Sequence, residues 1–380
     1  MSPAGRKKIA VIIPKYGVAG GAERYAAILT ERLAENPAYE FHVLANRWAP
    51  SSAKSIFFHH VPIIRFPRFL TTLSFAWFAN RLAKRLGCQL IHSHDRVFTA
   101  DLFTMHGVPH TFWVREVRRK RMSLFDRATA WLEGRLLADP RCRWLLPVSS
   151  LAGEQYRREF PGAASRLRVL HPGIDLERFH PRNRDLHRQP VRERFGLADD
   201  DLVLLFVGMN FELKGLDTLI RSLPLAQAAA PGRTVRLLVV GKGDQGRYQR
   251  LAEELGVGEA VRFAGVCQQG MEEFYGAADL LALLSDFDTF GMTVLEAMAA
   301  GLPVLVSPRV GAKDLVTEGE QGYMVERDDA EAVAARIVSL LDDQRRAAMG
   351  HAARQVAEQQ GWDRLAGEIS RMYDAILAAR

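Results

Sequence analysis

The sequence is poor in cysteine and contains no long hydrophobic run. Its 380 residues include three cysteines, Cys88, Cys142 and Cys267, which lie far apart and form no C-x-x-C pair. This spacing disfavours a zinc site and a dense disulfide framework, and it fits a protein of the reducing cytosol. The apolar run at 9–13 stops at Pro14, so it predicts a strand, and neither a signal peptide nor a transmembrane helix is expected.

Two common ligand signatures are not predicted either. The turn at Gly20 and Gly21 has neither the G-x-G-x-x-G pattern nor a Walker A motif, which weakens the case for a dinucleotide enzyme or an ATP hydrolase. We expect no divalent-metal cluster in a loop that follows a strand. His92, His94 and Asp95 look like metal ligands, but we interpret them as residues that close a strand beside the binding site, where Asp95 meets an acceptor.

The composition is that of a globular protein with anionic partners. Hydrophobic residues make up 48% of the chain and charged residues 25%, which excludes disordered and collagen-like proteins. The formal net charge is +7 and the isoelectric point is near 9.4. Phosphorylated sugars, anionic lipid head groups and nucleic acid all fit this charge, which alone does not choose among them.

Two series of short apolar stretches alternate with stretches of helical period, as is typical of βαβ units and parallel sheets. The predicted strands are 9–14, 41–46, 89–94, 101–107 and 144–149, then 202–208, 235–241, 260–265, 279–285 and 302–307. Residues 170–181, rich in proline and charge, predict a connection between domains. We therefore predict an α/β protein of two doubly wound, Rossmann-like domains, 1–173 and 174–357, that face each other across a cleft. A C-terminal helix at 358–380 is expected to cross back to the first domain, and ligands are expected beyond the carboxyl ends of the strands.

The segment DFDTFGMTVLEAMAAGLPVLVS at 286–307 places two carboxylates around a Phe-Gly turn. A helix is predicted at 293–300, and a helix N-terminus binds phosphate through its unpaired N–H groups and its dipole. Glu296, one turn inside the helix, suits the hydroxyls of a ribose, and Asp288, before the helix, suits those of a sugar. An ordinary acidic N-terminal turn of a buried helix explains the same residues equally well.

Two further positions lie between a predicted strand and a helix. Gly20 and Gly21 allow the backbone to approach a ligand closely, or they simply form a tight turn. Lys214 follows strand 202–208 and is placed to neutralise a diphosphate leaving group, whereas a lone lysine elsewhere is usually a solvated surface charge.

Taken together, these motifs resemble the retaining GT-B glycosyltransferases of family 4. The resemblance covers nearly the whole chain, with GGAERY, TMHGVP, HPGID, LKGLD, VVGKGD, a Glu-x7-Glu-like segment and EAMAAGLPVLVS in order. Members of this family move a sugar from a nucleoside diphosphate to an acceptor hydroxyl, retain the anomeric configuration and need no metal ion. The resemblance implies the GT-B fold, a nucleotide sugar, here a UDP-sugar, as substrate, and no cofactor.

The resemblance also implies roles for individual residues. Glu296 holds the donor ribose, and Asp288 holds the hydroxyls of the donor sugar. Lys214 neutralises the diphosphate, Gly21 lines the phosphate and acceptor side, and His106 donates or accepts a hydrogen bond with the donor sugar near the reacting centre. The implied catalytic residues are His106, Lys214 and Asp288. The implied donor-binding residues are Gly20, Gly21, Asn210, Lys214, Gly241, Cys267, Asp288, Phe290, Gly291, Met292, Thr293 and Glu296.

Two positions depart from the family pattern. The first acid of the Glu-x7-Glu motif is Asp288, one methylene shorter, so that the sugar preference or pose is expected to differ. The arginine usual after strand 202–208 is replaced by Met209 and Asn210, which leaves Lys214 to neutralise the phosphates largely alone. A subgroup similar to the lipopolysaccharide core heptose glucosyltransferases shares this variant form.

A basic segment at 112–131 suggests a membrane partner. It interleaves basic residues with Phe112, Trp113, Phe125 and Trp131, and the basic residues are Arg115, Arg118, Arg119, Lys120, Arg121 and Arg127. Each basic residue near an anionic membrane contributes about 1 kcal/mol, and interfacial aromatics add shallow anchoring. A solvated basic helix explains the segment as well. No nucleic-acid motif accompanies the charge, so nucleic acid is not an expected partner.

The functional prediction is a retaining, metal-independent hexosyltransferase that acts on a lipid-linked saccharide, such as the lipopolysaccharide core. Its expected location is the cytoplasm, peripheral on the inner face of the cytoplasmic membrane. Two alternatives remain at this point: a nucleotide-sugar 2-epimerase of the same architecture, and a non-enzymatic scaffold that binds a nucleotide sugar.

Overall fold

The computed structural model describes residues 5–18 and 20–380, and the chain divides into two compact units. The first unit runs to Gly173 and also contains Trp362–Arg380, and the second unit is Ile174–Gly361. The second unit ends four residues after the predicted boundary at 357, because the helix that precedes Gly361 extends to Glu358.

The described residues form the following strands and helices. The strands are β1 (Lys7–Ile12), β2 (Lys15–Tyr16), β3 (Tyr39–Ala45), β4 (Arg47–Trp48), β5 (Ile56–His60), β6 (Leu90–Ser93), β7 (Leu102–Met105), β8 (Trp144–Pro147), β9 (Leu202–Gly208), β10 (Val235–Gly241), β11 (Val261–Gly265), β12 (Leu280–Leu283), β13 (Val304–Val306) and β14 (Gly322–Met324). The helices are α1 (Gly21–Leu33), α2 (Leu70–Arg85), α3 (His110–Phe112), α4 (Leu124–Ala138), α5 (Ser150–Glu159), α6 (Asn183–Phe195), α7 (Leu216–Ala229), α8 (Gln245–Glu254), α9 (Met271–Ala277), α10 (Met292–Ala299), α11 (Ala330–Ser339), α12 (Asp343–Glu358) and α13 (Trp362–Ala378). A π-helical turn, Trp113–Val117, follows α3.

Each unit contains one six-stranded parallel sheet. The order is β5-β3-β1-β6-β7-β8 in the first unit and β11-β10-β9-β12-β13-β14 in the second. In each sheet the first long strand of the unit, β1 or β9, is central. The next strands are added on one side of it, and the later strands, from β6 or β12 onward, are added on its other side. This is the strand order of the Rossmann fold, so the prediction of two Rossmann-like units is confirmed.

The strands are buried because both faces of each sheet are covered. All but one residue of β9 is buried, and Leu205 lies between Leu238 of β10 and Leu281 of β12. In the first unit Val11 lies between Val43 and His92. Continuous apolar runs are typical of parallel strands that are buried on both faces.

Every predicted strand region contains a strand, but β2, β4, β5 and β14 were not predicted. β5 and β14 are the edge strands of their sheets, and β2 and β4 have two residues each. β5 buries only Ile56 and leaves Phe57 and His60 more exposed, so its sequence lacks the continuous apolar run of a central strand.

The last helix, α13, completes the core of the first unit. Trp362, Leu365, Ile369 and Tyr373 recur at helical spacing and are buried with residues of α1, β1 and β3. Gly173 touches the Trp362 ring so closely that a Cβ atom at this position would overlap it. Among the described residues, no helix is both long and apolar enough to cross a bilayer.

Candidate functional site

The predicted donor residues follow the two strands at which the second sheet reverses. Gly208 ends β9, and Asn210 and Lys214 lie in the loop before α7. The loop after β12 leads through Asp288 to Gly291, where α10 begins. Because β9 and β12 are neighbours in the sheet, these two loops meet, as expected for a ligand site at such a switch point.

The N-terminus of α10 is shaped by a glycine. Gly291 is the N-cap residue and has φ of 89°, a left-handed conformation that suits glycine. A Cβ atom at this position would lie 2.8 Å from Cγ1 of Val310. Met292 and Thr293 are half-buried and begin the helix, so their N–H groups have no carbonyl partner within it. The turn can therefore present N–H groups to an anion.

Phe290 anchors this turn to the protein interior. Its side chain is buried, and its carbonyl accepts a hydrogen bond of 2.6 Å from the N–H of Ala312. Phe290 thus fixes the loop by packing. In the predicted site, Asp288 and the N–H groups of Met292 and Thr293 face the ligand.

Lys214 and Asp288 form an ion pair between the two loops. Nζ of Lys214 donates to Oδ2 of Asp288, and each side chain is 20% exposed. The Asp288 backbone is held by Arg309 and Gly311, through bonds of 3.0 Å at its N–H and at its carbonyl. The structure thus brings together the lysine predicted for the diphosphate and the acid predicted for the sugar.

A pair of carboxylates with metal-ligand spacing does follow a strand, although no divalent-metal cluster was expected there. Asp286 and Asp288 have D-x-D spacing directly after β12. Asp288 is paired with Lys214, however, and Oδ1 of Asp286 accepts a bond of 2.8 Å from Arg309. Within the described part of the chain, no three His, Cys, Asp or Glu side chains are grouped to hold a metal ion.

Glu296, the acid predicted to hold the donor ribose, also has a partner inside the protein. The hydroxyl of Tyr275 donates to Oε2 of Glu296 at 2.7 Å, and Tyr275 is buried. Glu296 itself is half-buried, one turn into α10. Its position on the first turns of α10 places it beside α9, and the tyrosine hydroxyl needs an acceptor there because it is removed from water.

Asn210 and Gly241 shape the loops beside this pair. The side chain of Asn210 accepts a bond of 3.1 Å from the N–H of Leu213, although the residue is exposed. Gly241 has φ of 135°, and a Cβ atom there would overlap the carbonyl oxygen of Gly208. Gly241 is therefore required for the close approach of the ends of β9 and β10.

The turn after β10 reads GKGDQG at 241–246 and has the G-x-G-x-x-G spacing. The spacing is absent at Gly20 and Gly21, as stated, but it does occur here. Packing explains its first two glycines, because a Cβ atom on Gly243 would overlap the Phe211 ring. β10 also lies one strand away from the reversal between β9 and β12, which is where dinucleotides bind in such sheets.

Cys267 lies at the carboxyl end of β11, two strands from β9. It is half-buried, and its thiol donates to the carbonyl of Gln269 at 2.9 Å. Burial raises the pKa of this thiol, so Cys267 is a neutral side chain at neutral pH.

The predicted residues of the first unit also gather at a point of reversal. Gly20 directly precedes α1 and Gly21 begins it, Asp95 follows β6, and His106 follows β7. Gly20 is the N-cap of α1 with φ of 100°. The carboxylate of Asp95 accepts a bond of 2.7 Å from the N–H of Arg96, and burial raises the pKa of Asp95.

A buried network supports the loop that contains Asp95. Glu133, fully buried on α4, accepts a hydrogen bond of 2.9 Å from Arg96 and one of 2.7 Å from the N–H of His110. The hydroxyl of Tyr156 also donates to Glu133, at 3.1 Å. Glu133 therefore connects the loops after β6 and β7 to α4. The sequence did not predict this role, because Glu133 lies in the middle of a helical pattern.

His106 belongs to a group of three neighbouring histidines. Nε2 of His106 lies 3.1 Å from Nδ1 of His94, and the two rings are stacked. His92 lies beneath, with its ring centroid 4.3 Å from that of His94. Burial lowers the pKa of His106 to about 3, so its ring is neutral at neutral pH. His92 lies within β6 and His94 directly follows it, and both side chains are buried.

The basic segment is not a single helix. It comprises α3, the π-helical turn, an irregular stretch at 118–123 and the start of α4. All of its cations are exposed, and among the described residues none of Arg115, Arg118, Arg119, Lys120 and Arg121 forms an ion pair. Phe112, Trp113 and Phe125 are half-buried, which corrects the expectation that they are interfacial anchors, whereas Trp131 is 56% exposed.

A second apolar element beside this segment was not predicted. Phe66 is 89% exposed between Arg65 and Arg68. The guanidinium of Arg68 lies 5.1 Å from the centre of the Phe125 ring, which places this loop next to α4. Alternation of aromatic and basic residues in RFPRF was the signal that would have indicated it.

Comparison with known proteins identifies two matching families. Residues 19–178 match Glycosyltransferase Family 4, and residues 187–356 match Glycosyl transferases group 1. The D-inositol 3-phosphate glycosyltransferase of Streptomyces avermitilis is 33% identical over 245 residues, which are 62% of this chain and 52% of that protein. The chain thus spans about half the length of this relative.

Solved structures share the fold. WaaG, a glycosyltransferase involved in lipopolysaccharide biosynthesis, superposes with a TM-score of 0.77 at 22% identity, over 95% of this chain and 98% of that one. Anabaena Alr3699/HepE, in complex with UDP and glucose, gives 0.71 at 18% identity, over 97% and 100%. At these identities the similarity concerns the fold alone.

Proposed function

The chain belongs to the glycosyltransferases, with residues 19–178 in family 4 and residues 187–356 in group 1, and on this basis we propose that it is a retaining hexosyltransferase. The donor in this proposal is a UDP-sugar, and the acceptor is a hydroxyl of a lipid-linked, anionic saccharide such as the lipopolysaccharide core. The observation that carries the proposal is the convergence of Lys214, Asp288 and Glu296 on the N-terminus of α10.

The donor assignment rests on the charges of this site. A nucleoside diphosphate leaves with developing negative charge, which Lys214 and the N–H groups of Met292 and Thr293 can stabilise. Glu296 and Asp288 supply acceptors for ribose and sugar hydroxyls. UDP is favoured as the nucleotide because the structurally similar Anabaena protein binds UDP and glucose.

In the proposed reaction the acceptor oxygen bonds to the anomeric carbon on the face that the leaving phosphate vacates. The bond from that carbon to the phosphate oxygen breaks, and the acceptor proton moves to the departing phosphate. UDP and the retained glycoside are the products. Since positive charge comes from Lys214 and backbone N–H groups, the proposal requires no metal ion or other cofactor.

The acceptor assignment rests on the first unit. The unpaired cations at 115–121 precede α4, which carries the exposed Trp131, and Arg68, close in sequence to the exposed Phe66, contacts Phe125 of α4. Basic residues combined with exposed aromatic side chains suit an anionic membrane surface. The relative from Streptomyces avermitilis carries a phosphorylated polyol in its name, and WaaG takes part in lipopolysaccharide biosynthesis. We propose that the protein works at the cytoplasmic face of the membrane.

The test is a release assay with a panel of UDP-sugars and extracted lipid-linked core saccharides. UDP should be released only with both substrates, also in EDTA, and the product should keep the α or β configuration of the donor. Lys214→Ala should lower turnover by about 10²- to 10³-fold, as is typical for the loss of a charge contact in the transition state. An exposed lysine such as Lys54, changed to alanine, is the matched control.

Other outcomes reassign the protein. An inverted product would reject retention, and a strict requirement for Mg²⁺ or Mn²⁺ would turn attention to Asp286 and Asp288. Conversion of the donor to its 2-epimer without acceptor would indicate an epimerase, and donor binding without turnover on any acceptor would indicate a scaffold.

A further inference from the structure

The three neighbouring histidines bear on which nitrogen of His106 carries hydrogen. All three rings lie in the first unit, and burial lowers the pKa of His92 to about 3 and that of His94 well below its usual value. Each ring is therefore neutral at neutral pH and carries a single hydrogen on nitrogen. The 3.1 Å bond between Nδ1 of His94 and Nε2 of His106 needs one N–H group and one lone pair.

Two arrangements satisfy this bond. Either Nδ1 of His94 donates to Nε2 of His106, or Nε2 of His106 donates to Nδ1 of His94. The choice fixes the state of the remaining nitrogen of each ring. In the first case Nε2 of His94 carries no hydrogen and Nδ1 of His106 carries one. In the second case Nε2 of His94 carries a hydrogen and Nδ1 of His106 carries none.

The surroundings of His94 favour the first arrangement. Its Nε2 atom is buried and has no hydrogen-bond partner among the described residues. A buried N–H without a partner is rarer in proteins than a buried acceptor without one. A lone pair at Nε2 of His94 therefore costs less than an orphaned N–H, and the hydrogen resides on Nδ1.

His92 holds His94 in place without competing for this bond. Nδ1 of His92 pairs with the hydroxyl of Tyr373 at 2.7 Å, and its Nε2 pairs with the hydroxyl of Thr104 at 2.8 Å. Both nitrogens of His92 are thus occupied. The ring of Tyr25 packs edge-on against His94 and His106, which restricts both rings further.

We propose that His94 is a positioning residue that holds His106 in the tautomer protonated at Nδ1. In the described part of the chain, Nδ1 of His106 makes no hydrogen bond, and the side chain is only partly buried. It therefore offers a neutral N–H donor to a ligand oxygen. On the proposed function, that oxygen is a hydroxyl of a sugar.

This tautomer has a consequence for the reaction. With Nε2 bonded to His94 and Nδ1 already protonated, His106 has no free lone pair for the proton of the acceptor. It orients a sugar hydroxyl and is not the general base, so the proton must go to another group, such as the departing phosphate.

The direct test is nitrogen NMR of the full-length protein, labelled on the histidine ring nitrogens, at neutral pH. His106→Gln identifies the His106 signals. A protonated Nδ1 and an unprotonated Nε2 on His106 are expected. A protonated Nε2, or a mixture of the two tautomers, would overturn the inference. This measurement needs no substrate, so its failure is distinct from failure of the proposed function.

A second test uses two isosteric variants of His94. The amide nitrogen of asparagine reaches the place of Nδ1 and can donate to His106, whereas that of glutamine reaches the place of Nε2. His94→Asn should keep the His106 tautomer and the parental kcat, and His94→Gln should produce mixed tautomers and lower kcat by about tenfold, the effect of losing one hydrogen bond. Equal tautomer populations and equal kcat in both variants would assign His94 a merely structural role.

Discussion

The two carboxylates beside α10 differ in how the protein holds them. Asp288 is paired with a cation, and Glu296 accepts from a neutral hydroxyl. A carboxylate has several acceptor positions, so a partner within the protein fixes its orientation and still leaves it able to bind hydroxyls. Lys214 is shared between Asp288 and the proposed diphosphate, which implies that donor binding alters this ion pair.

We predict that Glu296→Gln lowers affinity for UDP by about 10- to 100-fold, because hydrogen bonds to a charged acceptor are stronger than those to an amide. The amide oxygen still accepts from Tyr275, so the fold should be retained. Isothermal calorimetry with UDP measures the affinity.

The complementary control is Tyr275→Phe, which removes the internal hydrogen bond that Glu296→Gln retains and leaves the carboxylate. It should bind UDP with at most a few-fold loss. If Glu296→Gln binds UDP as the parent does, Glu296 does not contact the nucleotide.

At the scale of secondary structure, α6 is fixed to its unit by one acid. Arg192 is fully buried and bonds Asp279 at 2.7 Å, and Arg184 and Arg188 bond the other oxygen of Asp279 at 3.1 and 3.0 Å. The three arginines recur at i, i+4 and i+8 and so share one face of the helix. Burial alone raises the pKa of Asp279, but Arg192 and Arg188 outweigh burial and lower it.

Asp279→Asn should destabilise the protein by about 3–5 kcal/mol near pH 7, because Arg192 is left buried without an opposite charge. A depressed carboxylate pKa stabilises the fold above the unfolded value of about 3.9, and this contribution is lost as pH falls through the folded value. The difference between parent and variant should therefore shrink below about pH 4.

Urea unfolding followed by circular dichroism measures this difference across pH. Asp328→Asn, at a carboxylate that is 93% exposed, is the control and should change little. A loss that is the same at every pH would mean that the charge of Asp279 is not responsible.

The basic segment at 112–131 gives a prediction that depends on salt. Changing Arg118, Arg119, Lys120 and Arg121 to serine should abolish sedimentation with anionic vesicles and leave UDP affinity unchanged. The parent should be released as the Debye length falls from about 10 Å at 0.1 M salt to about 3 Å at 1 M. It should bind neutral vesicles poorly.

Arg157 and Arg158, both exposed on α5, provide a control pair for replacement by serine. Their loss should leave vesicle binding intact. If the fourfold variant still sediments as the parent does, the segment is a solvated surface or part of an acceptor site.

At the scale of the whole molecule, the two units differ in their buried titratable groups and in their tryptophan content. All six tryptophans belong to the first unit, so tryptophan fluorescence reports that unit. That unit also holds His92, His94 and His106 in the neutral state. The depressed carboxylate Asp279 lies in the second unit.

We expect the first unit to lose stability as pH falls below about 6.5, the ordinary histidine pKa, because the unfolded histidines gain protons that the folded ones do not. The loss should continue toward the folded values near 3. The urea midpoint of tryptophan fluorescence should therefore decrease between about pH 7 and pH 5. His92→Gln should reduce this dependence, and a flat midpoint in the parent would show that the histidines are accessible to protons in the folded state.

The sequence by itself determined the central strands, the two Rossmann-like units and the turn at Gly291. Burial on both faces of a parallel sheet requires continuous apolar runs, and a left-handed N-cap favours glycine. Both features can therefore be read from the local sequence. The order of motifs was also enough to predict the family. The roles assigned to the site residues in both units remain predictions.

Only the tertiary structure decided which distant residues meet. Lys214 and Asp288 are 74 positions apart, and they contact each other because β12 inserts beside β9. The same holds for Tyr275 and Glu296, for the histidines at the ends of β6 and β7, and for the loop of Phe66 beside the basic segment. The periodicity of the sequence indicates which face of its own strand or helix a residue occupies. Which loops meet depends on the order of the strands in the sheet, and no local sequence pattern specifies that order.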